Sequence, residues 1–495
     1  MVLLWLILIP LTAGILSWVA SRWSNLAARW ISLVAMLADL VIGIVYWIST
    51  FVENGPGKWS AEINWTWISQ FGIRFHLALD GLSLVFLLLT FFIGVMAVLV
   101  SWKEIQDKVG FFHFNLMWVL AGVIGVFLAM DLFLFYLFWE LMLVPMYFLI
   151  SIWGHERRAY ASVKFFVFTQ LSGLLMLAAI LGLCVLHQRT TGVWTFDYSD
   201  LVETPMASTT GRWLMLGFMI AFAVKLPAFP LHTWLPDAHT EAPTAGSLIL
   251  AALLLKTGGY GMIRFVLGLF PSSARELSPL FMILGVAGIL YGAVLALGQS
   301  DFKRLVAYTS VSHMGFVLLG VFSGSSVALQ GAVIQMISHG VSTGALFILA
   351  GALQERMHTR QLDRMGGLWE TIPALSGTAL FFVMASAGLP GLGDFIGEFL
   401  VLMGTFHTSI LLTSLAAIGI VASALYGLRL LRSVFYGPNA HGWRLHDLEA
   451  REWVVVAPMC ACLLWLGLYP QPVLNTFRGA LGSLGQSDIP LAAKR

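Results

Sequence analysis

Charge is scarce in this chain of 495 residues: Asp, Glu, Lys and Arg together make up 11% of it. A soluble globular surface needs about a quarter of its residues charged. With a hydrophobic fraction of 59% and a mean hydropathy of +0.87, such a surface cannot be built. Cysteine is scarcer still. Cys184, Cys460 and Cys462 lie in apolar runs without CxxC spacing, so they offer no iron–sulfur ligand set and read as inert packing residues. Nucleotide-binding glycine loops and haem motifs are missing too, which leaves the chain without visible redox chemistry of its own.

What is present is a succession of apolar runs, each long enough for the ~20 helical residues that cross a hydrocarbon core. Runs such as LVAMLADLVIGIVYW do not alternate with period two, which argues against a membrane β-barrel. The expected fold is an all-α polytopic membrane protein with about 14 transmembrane helices. Its basic residues sort by alternate loops. The loops holding Lys103, Arg157, Lys303 and Arg360 carry about twice as many Lys and Arg as those holding Lys58, Arg74, Lys494 and Arg495, so the first set is expected in the cytoplasm and both termini outside. Arg22 follows the first helix and no basic residue precedes it, which reads as an uncleaved anchor. The net charge of +2 reflects this loop bias, and no nucleic-acid partner is expected. Trp59, Trp65, Trp67 and Trp194 suit an interfacial belt, and the outer loop around Trp59–Asp80 suits a small hairpin without assigned function.

Ionisable residues inside the apolar runs carry the functional signal, because a charge at bilayer depth costs at least ~2.5 kcal/mol and tends to mark an ion or proton path. Glu140 falls mid-helix in DLFLFYLFWELMLVPMY. Lys225 lies at similar depth, and a Glu–Lys pair would satisfy both charges; a static pair fixing two helices is the competing reading. Pro227 and Pro230 should break the segment 212–239 directly after Lys225. His232, Asp237, His239 and Glu241 follow, either as a polar path or as an ordinary interfacial loop. Lys256 sits in LLLKTGGYG, where Gly258 and Gly259 permit close helix approach; a lysine reaching for a carbonyl at a helix crossing is the plainer alternative.

The second half repeats the device. Segment 375–405 is interrupted by Pro390 among glycines Gly388 to Gly391, and Glu398 follows deep in the continuing helix. Two interrupted segments at corresponding places are the sequence sign of an internal repeat with sites near the midplane. Between them lie His313 and His339, suited to a relay because imidazole donates and accepts at different nitrogens, or to satisfied packing. Ser312, Ser338, Ser342 and Thr343 suit a water chain or helix packing.

LPDAHTEAPTAGSLILAALLLKTGGYG, DFKRLVAYTSVSHMG and FWELMLVPMYFLI resemble the antiporter-like membrane subunits of respiratory complex I and their Mrp antiporter and membrane-bound hydrogenase relatives. The resemblance covers nearly the whole chain. It implies fourteen helices with two inverted five-helix repeats, each holding a broken helix: three helices over 1–110, a repeat over 111–270, a second over 271–435, and a last helix and tail over 436–495. By position it makes Glu140 the partner of Lys225, Lys256 the central lysine, His313 and His339 members of the hydrophilic axis, and Glu398 the terminal group, and the mechanism it implies passes the proton from Lys225 to Lys256 through His232 or water. Glutamate at 398, where L- and N-type subunits carry lysine, and the short stretch after the last helix point to the M-type branch. Asp394 departs from that branch, in which asparagine is expected; it would add a second acid or face an interfacial loop. The resemblance further implies outward proton transfer driven by quinone reduction elsewhere in a complex of the bacterial inner membrane. Neighbouring L- and N-type subunits and lipids would be the partners. FMN and iron–sulfur clusters would sit in other subunits, with no cofactor or quinone bound here. A subunit of an Mrp-type cation/proton antiporter or of a membrane-bound hydrogenase is the alternative.

Overall fold

The computed structural model of the chain describes residues 1–52 and 59–485; Lys58, Lys494 and Arg495, which the charge bias places outside, fall beyond them. Among the described residues, 12 helices are long and apolar enough to cross a membrane. Two further apolar segments are interrupted, Ser208–Lys225 continuing as Trp234–Glu241 and Pro373–Ser386 continuing as Gly393–Phe406. The expected helical membrane architecture is therefore present. Helix starts follow side-chain capping: Asp80 accepts from Ser83 N–H, Asp131 from Phe133 and Leu134 N–H, and Asp301 from Arg304 N–H, each satisfying donors that a helix leaves free at its first turn.

Burial separates the core from the periphery. Helices Thr244–Leu269, Phe302–Phe322 and Ser326–Met357 are almost wholly enclosed by protein, whereas Asn25–Thr50, Ile410–Val434 and Ala450–Leu468 present most of their surface outward. The outward positions are apolar, including Val34, Val41, Leu411, Val421 and Leu425, as lipid contact requires.

Two irregularities lie where the sequence suggests continuous helices. Segment 132–153 divides at Met142 into Leu132–Leu141 and Leu143–Trp153, because Pro145 has no N–H for the Leu141 carbonyl. The span Thr244–Leu269 contains π-helical turns at Leu250–Leu254 and Met262–Val266. Such turns shift the register of the backbone ladder and recur at functional sites.

The outer loop does form a hairpin. β1, Ala61–Ile68, pairs antiparallel with β2, Ile73–Leu79, and Gly72 at φ 66 makes the turn. Arg74 N–H donates to Asp131 and Met130 N–H to the His76 carbonyl. His76 is clasped between Asp197, 2.5 Å away, and Glu62, 3.0 Å away. A final helix, Gln471–Gly485, follows the last spanning helix, where the sequence suggests only a tail. Trp47 donates to Thr476 at 2.7 Å, anchoring it to the bundle.

Candidate functional site: a buried polar axis

Glu140 is the penultimate residue of Leu132–Leu141, beside the irregularity at Met142. It is half-buried against Gly173, where an added Cβ would come within 2.6 Å of its Oε1. Tyr136 and Gln170 are its polar neighbours, yet Oε1 has no hydrogen-bond partner. Lys225, the last residue of Ser208–Lys225, is fully buried. Its Nζ lies 5.0 Å from the Trp139 ring centroid and 5.8 Å from that of Phe165, without a hydrogen bond. Glu140 and Lys225 feel each other's charge, but Lys225 Nζ and Glu140 Oε1 are without hydrogen-bond partners. They are thus near enough to act on each other but are not the direct pair the sequence suggests. Aromatic faces and the negative end of the helix dipole stand in for the carboxylate.

The interruption beyond Lys225 is held by Trp234, whose Nε1 donates to the Val224 carbonyl at 2.9 Å. His232 is buried among the rings of Phe229, Tyr291 and Tyr308, and none of these contacts reaches Lys225 or Lys256. His239 lies deeper than an interfacial loop would place it. It stacks on Phe347 with centroids 4.3 Å apart, both ring nitrogens lack partners, and the charges of Lys303 and Lys256 act on it.

Beyond it the polar groups connect. Lys256 follows the first π turn of its helix, and its Nζ donates to the Ala251 carbonyl at 2.5 Å and meets His339 Nδ1 at 2.8 Å. The His339 and His313 rings are 5.5 Å apart. His313 Nδ1 lies 2.8 Å from Glu398 Oε1, to which Gln335 Nε2 donates at 3.3 Å. On the other side of the same ring, Ser386 and Tyr426 hydroxyls approach Nε2 at 3.2 and 3.1 Å. With its proton on Nδ1, a neutral His313 would donate to Glu398 and accept at Nε2 from one of the two hydroxyls. Glu398 Oε2 faces the second interruption, where a Cβ on Gly388 would meet it at 3.1 Å, and it has no partner.

Lys256, His339, His313 and Glu398 are therefore joined in one buried series; Glu140 and Lys225 form a separate group, and His232 stands apart from both. Gln335, Ser386 and Tyr426 were not singled out from the sequence, where a glutamine, a serine and a tyrosine in apolar helices carry no special pattern. Ser312 gives its hydroxyl to the Ile289 carbonyl and is a packing residue. Asp394 is fully buried rather than interfacial. At the ends of the bundle, buried Lys303 donates to the Ala242 carbonyl, and Asp80 pairs with Arg264 at 2.5 Å, which also donates to Tyr260. Among the described residues no cluster of His, Cys, Asp or Glu has the makings of a metal site.

A chain of buried acids, lysines and histidines threaded between two interrupted helices defines an ion-translocating membrane protein. Residues 129–425 match the family described as NADH:quinone oxidoreductase/Mrp antiporter, TM. Subunit M of NADH-quinone oxidoreductase from Pseudomonas aeruginosa is 50% identical over 98% of both chains, and that of Escherichia coli K12 is also 50% identical over 98% of both. The corresponding subunit of Rhodobacter capsulatus is 39% identical over 97% of this chain and 95% of its own. Among solved structures, respiratory complex I from Thermus thermophilus with bound NADH contains a chain that superposes with a TM-score of 0.87 at 32% identity, over 98% of this chain and 99% of the other. The Mrp complex of Dietzia sp. contributes one at 0.85 and 20% identity, over 98% and 97%, a likeness of fold alone. The chain belongs to the NADH:quinone oxidoreductase/Mrp antiporter family of membrane subunits, and within it to the subunit M branch.

Proposed function

We propose that this chain is the proton-translocating M subunit of an NADH:quinone oxidoreductase in a bacterial inner membrane, its basic loops and the ends of its axis near Lys303 facing the cytoplasm. The observation that carries the reading is the buried series from Lys256 through His339 and His313 to Glu398, with hydrogen-bond contacts of 2.8 Å at each end. Protons would enter at Lys225 while Glu140 is near, since an opposite charge favours the ammonium in a dry site. Movement of Glu140 away from Lys225 would withdraw that support and drive the proton towards Lys256, with His239 or water bridging the gap. From Lys256 it would pass by His339 and His313 to Glu398 and out beside the second interruption. Each proton carried outward works against ~2.3 kcal/mol per 100 mV. Quinone reduction in partner subunits bearing FMN and iron–sulfur clusters would supply this, through contact with neighbouring L- and N-type subunits. The division into two inverted repeats over 111–270 and 271–435 belongs to the same proposal and is supported by the paired interruptions.

Lys256→Met in native membrane vesicles tests it, with NADH-driven quinone reduction and proton uptake recorded together and assembly checked on native gels. Loss of both activities from an assembled complex is the expected result. Full pumping in the variant would remove Lys256 from any path and refute the series.

A further inference from the structure

We infer that Asp394 is a second proton-carrying carboxyl of the axis, standing between the Lys256–His339 pair and Glu398 as an intermediate site; the inference rests on the proton-path reading above. Asp394 is in the first turn of Gly393–Phe406, immediately after the second interruption, and none of its surface is exposed. Neither carboxylate oxygen has a hydrogen bond of normal geometry. Ser342 is its loose polar neighbour, and the charges of His313, Glu398 and Lys256 act on it. It is also the carboxylate whose charge acts on Lys256.

A fully buried acid with no bonded partner is costly to keep, and its surroundings are built to approach it. Gln335, Ser338, His339 and Ser342 recur at helical spacing along one buried face of Ser326–Met357. Two glycines let the Asp394 helix settle onto that face: a Cβ on Gly393 would stand 2.6 Å from Ser338 Oγ, and one on Gly397 would stand 2.5 Å from Gln335 Oε1. Asp394 and Glu398, four residues apart, share one face of their own helix. The hydroxyls of Ser338 and Ser342, His339 Nε2 and Glu398 Oε2 are buried with unused hydrogen-bonding capacity, as the members of a hydrated relay require. Tyr426 approaches from Ile410–Val434, and its hydroxyl also feels the Asp394 charge. Leu466 closes the site beside Gly393 from Ala450–Leu468.

The step is a balanced proton exchange. The Asp394 carboxylate takes one proton from the Lys256 ammonium by way of His339, leaving an amine and a carboxylic acid. It then gives that proton to the Glu398 carboxylate, directly or through His313, and returns to its starting form while Lys256 is reprotonated from the inner side. Two neighbouring carboxyls in a dry site hold one proton between them more readily than two negative charges, so the pair would work as a shared store.

Asp394→Asn keeps the shape and removes the titrating group. Together with Asp394→Glu and Glu398→Gln, it is to be measured as the assembled complex in native vesicles, across pH, for NADH-driven quinone reduction and proton uptake. The expected result is assembly of Asp394→Asn, proton uptake lowered about tenfold, an altered pH profile, and partial recovery of both in Asp394→Glu. Wild-type uptake and pH profile in Asp394→Asn, while Glu398→Gln abolishes uptake, would overturn the role of Asp394 and leave the path standing. Wild-type uptake in both Asp394→Asn and Glu398→Gln would overturn the path itself. Failure of both Asp394 variants to assemble would assign the residue to folding and overturn the inference.

Discussion

Replacing Lys225 by methionine should separate function from stability. The Lys225 ammonium is fully buried without a hydrogen bond or ion pair, and an unpaired buried charge costs several kcal/mol even after relaxation. Two aromatic faces, at 5.0 and 5.8 Å, return part of this, about 2 kcal/mol for the nearer and less for the farther. The carbonyl end of Ser208–Lys225 returns up to ~2 kcal/mol more. The balance is close to neutral or unfavourable. Methionine is similar in length, unbranched, and packs well on Trp139 and Phe165. Lys225→Met should therefore assemble normally and raise the stability of the subunit by about 0–3 kcal/mol, while proton uptake falls at least ~10²-fold. Thermal challenge of the purified complex, followed by native-gel retention of this subunit, reads the first quantity. Vesicle proton uptake reads the second. A variant that loses stability equivalent to ~2 kcal/mol but pumps normally would show that Lys225 is a structural cation and refute the reasoning.

Further outcomes follow from other contacts. Tyr426→Phe deletes the hydroxyl 3.1 Å from His313 Nε2 and leaves Ser386 as the remaining donor there, so proton uptake should fall by about fivefold, equivalent to ~1 kcal/mol, without loss of assembly; an unchanged rate would remove Tyr426 from the His313 environment. Gly397→Ala would place a Cβ 2.7 Å from Gln335 backbone atoms, forcing the two helices apart at about 1–3 kcal/mol, which should appear as poor assembly on native gels. At the hairpin, burial disfavours the His76 imidazolium, but hydrogen bonds and charge from Asp197, with Glu62, outweigh it and raise its pKa above 6.5. Burial likewise opposes the Asp197 charge, and His76 holds that carboxyl below its ordinary range. The clasp therefore stabilises fully below pH ~6.5, weakens as pH rises through the raised His76 pKa, and is lost again only in strong acid as Asp197 is protonated. Amide-exchange protection across 73–79, corrected for intrinsic rates, should drop as pH rises above about 6.5; constant protection would disprove the clasp.

Much of this architecture is legible in the sequence because the bilayer makes it so. Apolar runs, interrupting prolines and lone charges each have a single strong physical meaning in a medium that offers no water. That is why Lys256, His313, His339 and Glu398 are found together, and why Pro227, Pro230 and Pro390 mark the interruptions. Three features were not legible. The π turns flanking Lys256 arise from packing of a wholly enclosed helix whose residues, Leu250–Leu254, are ordinary helix formers. The seating of the Lys225 ammonium on the Trp139 and Phe165 rings, without a bond to Glu140, depends on ring orientations that sequence cannot specify. His239 and Asp394 lie beside prolines or glycines, where polar residues at a buried interruption and at a surface loop have the same composition.

The contrast between Asp80–Arg264 and the axis supports the proposed proton path. Asp80 caps its helix through Ser83 N–H, binds Arg264 at 2.5 Å, and shares that guanidinium with Tyr260, which is itself bonded to the Phe127 carbonyl and near Ser83. Charges and donors are matched there, as a joint between helices needs, and removing either member would strand the other at about 3–5 kcal/mol. Lys225, Glu140 Oε1, Asp394, Glu398 Oε2 and the free nitrogens of His239 and His339 are equally enclosed or nearly so, yet unmatched. A fold able to satisfy one buried charge pair so completely is under no geometric compulsion to leave a whole line of others open. Unused donors and acceptors in series are useless as fasteners, because each adds desolvation without a bond. They are what successive proton positions require, since a site already locked in its best hydrogen bonds has no lower-barrier way to pass a proton on.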